Sequence, residues 1–150
     1  MADIERNHAD VLYKETTRAN IETCYNQFAT AMKQKNLSDL LGLLNKDFTW
    51  QLLDGEKLNR DQTATALKEF FDQSRIVEMG IRIIAMRFGE IGVEVMATEQ
   101  TVSSPLDIGS SAGTSETVED VEESWVSDGE RWNLLSSRVT RSVTVPFSAK

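Results

Sequence analysis

The spacing of apolar residues changes at about Arg75, and that change constrains the fold more than any other feature of the chain. Upstream, Ile21, Cys24, Tyr25, Phe28, Ala31 and Met32 recur at intervals of three and four, which is the pattern of a helix with one buried face. Downstream, Val77, Met79, Ile81, Ile83 and Ala85 alternate, which places them together on one face of a strand. A chain of helices first and long strands after is an α+β domain, with the helices gathered on one face of the sheet.

The boundaries follow from capping and turn residues. Thr17 is the expected N-cap of a helix from about Arg18 to Lys35. Asn36 opens a shorter helix, with Asp39 in its first turn and Leu37, Leu40, Leu41 and Leu44 on its apolar side. A strand over Phe48–Leu52 puts Phe48, Trp50 and Leu52 on one face, and Asp54-Gly55 turns it into a small hairpin. Asn59 and Gln62 form a capping box for a third helix that carries Ala64, Leu67, Phe70 and Phe71 and ends near Ser74. Four long strands follow, over about Arg75–Phe88, Val93–Val102, Glu116–Ser127 and Arg131–Val145. Residues 103–115 read as a loop, with Gly109-Ser-Ser-Ala-Gly113 at its centre, and Asp128-Gly129 reads as a hairpin turn. Residues 1–17 form a polar leader or short helix, residues 18–146 a single domain, and residues 147–150 a tail.

Charge and cysteine content narrow the function. The 150 residues include 24 acidic and 16 basic ones, for a formal net charge of −8. That balance opposes binding to a phosphate backbone, so no nucleic-acid partner is expected. No stretch approaches the length of a membrane span, and the charged N-terminus lacks the apolar core of a signal peptide. Cys24 is the only cysteine, which excludes an intrachain disulfide and a cysteine zinc cluster. His8 is the only histidine and has no second histidine with which to share a metal. No cofactor, no metal, no membrane association and a cytoplasmic location are the expectations.

The order of elements resembles the nuclear transport factor 2-like superfamily, in its SnoaL-like and ketosteroid-isomerase-like branch. The resemblance rests on several stretches over roughly residues 18–145. They are the first helix with Tyr25 and Phe28, the short helix ending in Leu-Leu-Asn-Lys-Asp47, and the Phe48-Thr-Trp50 strand. To these are added Asp54-Gly55, the helix opened by Asn59, Trp125-Val-Ser-Asp-Gly129, and Arg131-Trp132-Asn-Leu. It implies a cone-shaped curved antiparallel sheet packed against three N-terminal helices, a deep pocket, and a homodimer paired through the outer sheet face. Activities in such proteins include double-bond isomerisation, cyclisation and dehydration, while other members only bind ligands or proteins.

Carried over residue by residue, the isomerase base falls on Leu52, which cannot take a proton. The oxyanion-hole tyrosine falls on Phe28, one turn from Tyr25, and the protonated acid that assists it falls on Glu123. Glu123 lies in the acidic run from Glu116 to Glu123 and shares a strand face with Glu119, Val121 and Trp125. If that face looks inward, a carboxyl among Phe28, Trp50 and Trp125 is desolvated and its pKa rises, as general acid–base work near neutral pH needs. Glu123 and Tyr25 are then the candidate catalytic pair. Phe28, Trp50, Leu52, Gln100, Trp125 and Arg138 are the candidate ligand contacts, with Gln100 and Arg138 placed to orient or neutralise the acid. The plain alternative is that Glu123 pairs with Arg138 at the surface and the tryptophans are core. The resulting reading is a protein that binds a small, largely apolar molecule in the cone. An isomerase, cyclase or dehydratase with an inward carboxylate, and a non-catalytic dimeric interaction domain, stand as alternatives.

Overall fold

A computed structural model describes residues 2–106 and 113–147. The Gly109–Gly113 stretch lies almost wholly outside the described residues, as does the expected tail beyond Phe147. Three helices, α1 (Ala2–Gln34), α2 (Leu37–Leu43) and α3 (Arg60–Gln73), are interleaved with β1 (Leu44–Gln51) and β2 (Lys57–Asn59). The strands β3 (Ser74–Phe88), β4 (Gly92–Pro105), β5 (Ser115–Ser127) and β6 (Trp132–Pro146) follow, which is the α+β order expected.

The expected start of the first helix at Arg18 is corrected: α1 runs through Thr17 without a break. Nothing upstream stops it, because no glycine or proline precedes Gly42, and Lys14 and Asp10 form an i,i+4 ion pair along it. Thr17 is buried in the helix interior instead of capping it, whereas residues 8–16 are exposed. The caps of the other two helices form as expected. The Asn36 side chain accepts from the Asp39 backbone N–H at 3.1 Å, and Asn59 and Gln62 close a reciprocal capping box. Gly55 and Gly129 take the positive φ values, 93° and 102°, that their two turns require. At the second turn the Asp128 carboxylate accepts from the backbone N–H groups of Arg131 and Glu130, which hold its pKa below the usual range.

Among the described residues the sheet has six strands in the order β2-β1-β6-β5-β4-β3. The four long strands pair antiparallel as expected. The sheet as a whole is mixed, because β1 runs parallel to β6, with Trp50 opposite Ser137. Leu44 begins β1 instead of closing α2, and β4 continues to Pro105 through residues expected to be loop. The long strands have 13 to 15 residues each and curve around the helices.

Bulges in β3 and β6 bend the sheet and reassign its faces. In β3, Ile76 pairs with Ser103 but Glu78 with Val102, so Val77 is an extra residue; Ile84 is another. Both are about half exposed, at 52% and 54%. The inward set on β3 is therefore Ile76, Met79, Ile81, Ile83, Met86 and Phe88, and Val77 and Ala85 leave the expected core face. In β6 the extra residues are Leu135 and Thr140. The core lies between the concave face and the helices, in two clusters, one around Ile21, Tyr25, Val95 and Trp125 and one around Met32, Leu40 and Phe71.

Candidate functional site

Two neighbouring structures occupy the inside of the cone: a buried polar hub and an open chamber. The hub joins α1 to β5. Tyr25 Oη donates to Glu123 Oε1 at 2.7 Å, and Trp125 Nε1 donates to the same Tyr25 oxygen at 3.0 Å. The Tyr25 and Trp125 rings meet edge to face with centroids 5.2 Å apart. Glu123 is 5% exposed and has Ser137 as a further hydrogen-bond partner, directly opposite on β6. Burial pushes the Glu123 carboxyl above the usual carboxylate range, and the bonds from Ser137 and Tyr25 hold it back only in part. The Tyr25 hydroxyl is driven up as well, by burial and then by the Glu123 charge beside it. Glu123 thus faces inward, and the surface pairing with Arg138 does not occur.

The chamber has a volume of about 280 Å³ and lies between α3, the end of α1 and the wider part of the sheet. Phe28, Trp50, Phe70 and Leu67 supply much of its apolar wall. Two acids line it, Glu99 and Glu119, which are partners directly opposite one another on β4 and β5. Burial pushes the Glu99 carboxyl well above its ordinary pKa, and the charges of Glu123 and then Glu119 push in the same direction. Thr63, on the inner side of α3, lines this chamber and is 4% exposed; its hydroxyl oxygen is enclosed and has no hydrogen-bond partner. The Asn59–Gln62 capping box at the start of α3 holds that turn of the helix in place.

Of the residues singled out from sequence, Phe28 and Trp50 line the chamber. Trp125, 1% exposed, is core and belongs to the hub. Glu123 and Tyr25 lie behind the chamber wall, and Ser137, which both lines the chamber and bonds Glu123, stands between. Leu52 borders a shallower cleft with Leu53 and Asp54, and Glu119 and Val139 line both that cleft and the chamber.

Gln100 and Arg138 are corrected: both lie on the outer face. Gln100 is in even register on β4, so its amide reaches Glu116 across the strand pair. Arg138 would share the inward face of Leu134, but the extra Leu135 turns it outward, where it pairs with Glu122. Arg138 and Arg87, ion-paired with Glu94, line a groove of about 680 Å³ on that outer face. Glu99 and Thr63 were missed. Glu99 was findable, since it continues the alternation of Val93, Val95 and Ala97 on the inner face of β4. No signal in the sequence distinguishes Thr63 from the other polar residues of α3.

No family model and no curated protein matches the chain. Solved structures do. A conserved protein from Planctomyces limnophilus DSM 3776 superposes with a TM-score of 0.78 at 13% identity, over 87% of this chain and 99% of that one. The fold is that of the NTF2-like proteins. An NTF2-like protein from Cytophaga hutchinsonii ATCC 33406 matches at a TM-score of 0.67 and 15% identity, covering 82% of this chain and 96% of its own. A ketosteroid isomerase-like protein from Erwinia carotovora atroseptica SCRI1043 matches at 0.66 and 12%, covering 81% and 92%. At these identities the NTF2-like likeness is one of architecture, and a chamber inside the cone is compatible with many chemistries.

Proposed function

We propose that this NTF2-like chain binds a small, mostly apolar molecule carrying one polar group, in the chamber between α3 and the sheet. The observation that carries the reading is a chamber whose wall is largely apolar but holds two carboxyl groups, Glu99 and Glu119, on its sheet side. The cavity, about 280 Å³, lies just below the ~300–1,000 Å³ range of ligand pockets, which suits a compact guest. Phe28 and Trp50 are the proposed apolar contacts.

The test is a thermal-shift and calorimetric screen of compact aromatic and alicyclic molecules against the protein and a Trp50→Leu variant, which trims the apolar wall. A guest with a polar group should raise the melting temperature of the protein and lose affinity in the variant. Failure of every compact guest to bind would sink the reading.

A second reading, acid–base catalysis of the isomerase, cyclase or dehydratase kind, is favoured by the position of Glu99. A carboxyl with a raised pKa on the chamber wall keeps its proton to higher pH than an ordinary carboxyl and can give it to a bound molecule. Turnover that depends on Glu99 would establish it.

Pairing of two copies through the outer sheet face is part of the proposal. Met96, Val118 and Val143 are exposed on the long strands of the sheet and supply apolar area for it. Light scattering on the purified protein reads the outcome directly. A cytoplasmic location is part of the same proposal.

A further inference from the structure

The chamber has acids and no counter-charge. Glu99 and Glu119 face one another across β4 and β5, and among the described residues no lysine, arginine or histidine lines the cavity with them. Like charges directly opposite in a sheet destabilise it. Two acids on the outer face have counter-charges, Glu94 with Arg87 and Glu122 with Arg138. The inner pair has none, and the Leu135 bulge that turns Arg138 outward keeps it so. The shallower cleft that shares Glu119 with the chamber also carries Asp54.

We propose that the chamber takes a small hydrophobic amine, whose ammonium group lies at the Glu99–Glu119 pair and whose apolar body lies against Phe28, Trp50 and Phe70. This rests on the reading of the chamber as a ligand site and names the class of its ligand. An ammonium has donors and no acceptor, and this wall offers the two facing carboxyl groups of Glu99 and Glu119 as acceptors. Aromatic faces add attraction for a desolvated cation. The net charge of −8 favours the approach of a cation over that of an anion.

The groups that face Glu99 electrostatically are Glu119 and Glu123 on β5, with the Tyr25 hydroxyl of α1 coupled to it. None is cationic. A bound ammonium therefore stabilises the ionised form of Glu99 and opposes the upward shift that burial causes, so binding and proton release are linked.

The experiment is titration calorimetry at neutral pH with three probes of one shape: 2-phenylethylamine, 2-phenylethanol and phenylacetate. The amine should bind at least about tenfold more tightly than the alcohol, phenylacetate should be weaker than both, and the amine should release protons in buffers of differing ionisation enthalpy. Glu99→Gln and, separately, Glu119→Gln should each lower the preference for the amine at least about tenfold, and an unchanged thermal unfolding transition shows that the fold around the chamber is kept. Equal or tighter binding of the alcohol overturns the amine proposal and leaves the ligand-site reading standing. Failure of all three probes overturns both. An amine preference that survives both substitutions places the ammonium elsewhere and overturns the proposal.

Discussion

The Tyr25 hydroxyl stands 2.7 Å from Glu123 Oε1, 98 residues away in sequence, and joins the first helix to the third long strand inside the core. The same oxygen accepts the Trp125 indole N–H. One atom thus satisfies two buried groups. Tyr25→Phe leaves a buried carboxyl and a buried N–H each short of a partner. It should lower the unfolding free energy by about 1–3 kcal/mol, read by urea denaturation. Combining it with Glu123→Gln should give a non-additive cycle, because the two side chains share one bond. Additive losses would show that the bond contributes nothing to stability.

Stability should fall as pH rises through the range where Glu99 and Glu123 ionise. Both carboxyls are raised in the folded protein, first by burial. The folded state therefore holds protons that the unfolded chain, with ordinary values near ~4.3, has already lost. Their contribution is fully present below that ordinary value and is lost as pH climbs through the folded-state value. Denaturation measured from pH 4 to pH 8 should show a steeper decline for the native sequence than for Glu99→Gln. Parallel curves would contradict the raised state of Glu99.

Thr63→Val keeps the shape of the side chain and removes a hydroxyl that has no partner in the chamber. Unfolding free energy should rise by about 1 kcal/mol in the absence of ligand. A fall instead would mean that the hydroxyl has a partner in solution.

Gly92 opens β4 against the β5 backbone. A Cβ there would lie 2.6 Å from the Trp125 carbonyl oxygen and 3.3 Å from Val126 Cγ1. Gly92→Ala should cost about 1–3 kcal/mol, because the strand that carries Trp125 must shift to admit the methyl group. An unchanged denaturation midpoint would refute that close approach.

The helices and strands were legible because each has a local cause. Asn59 and Gln62 cap α3, Asn36 caps α2, and Asp54-Gly55 and Asp128-Gly129 turn the chain, all through bonds spanning three residues or fewer. Glu123, Val121 and Trp125 share the inner face because β5 alternates without a break through them. What escaped the sequence is non-local. The parallel pairing of β1 with β6 joins residues nearly ninety positions apart. The bulges at Val77, Ile84, Leu135 and Thr140 are invisible in a period-two pattern, yet they decide which face Ala85 and Arg138 occupy. The chamber acid was missed for a simpler reason. Glu99 interrupts an apolar alternation, and a charged residue at such a position reads as the end of a core strand.

The Leu135 bulge makes the polarity of the cone a matter of counting rather than composition. If the same residues ran on from Leu134 in unbroken alternation, Arg138 would replace Ser137 on the inner face and set a guanidinium beside the acids. A chamber that attracts cations and one with a built-in counter-ion thus differ only in whether β6 takes up one residue out of step. Chains of this architecture have a short path by which a site can change the charge of its guest without rebuilding its walls.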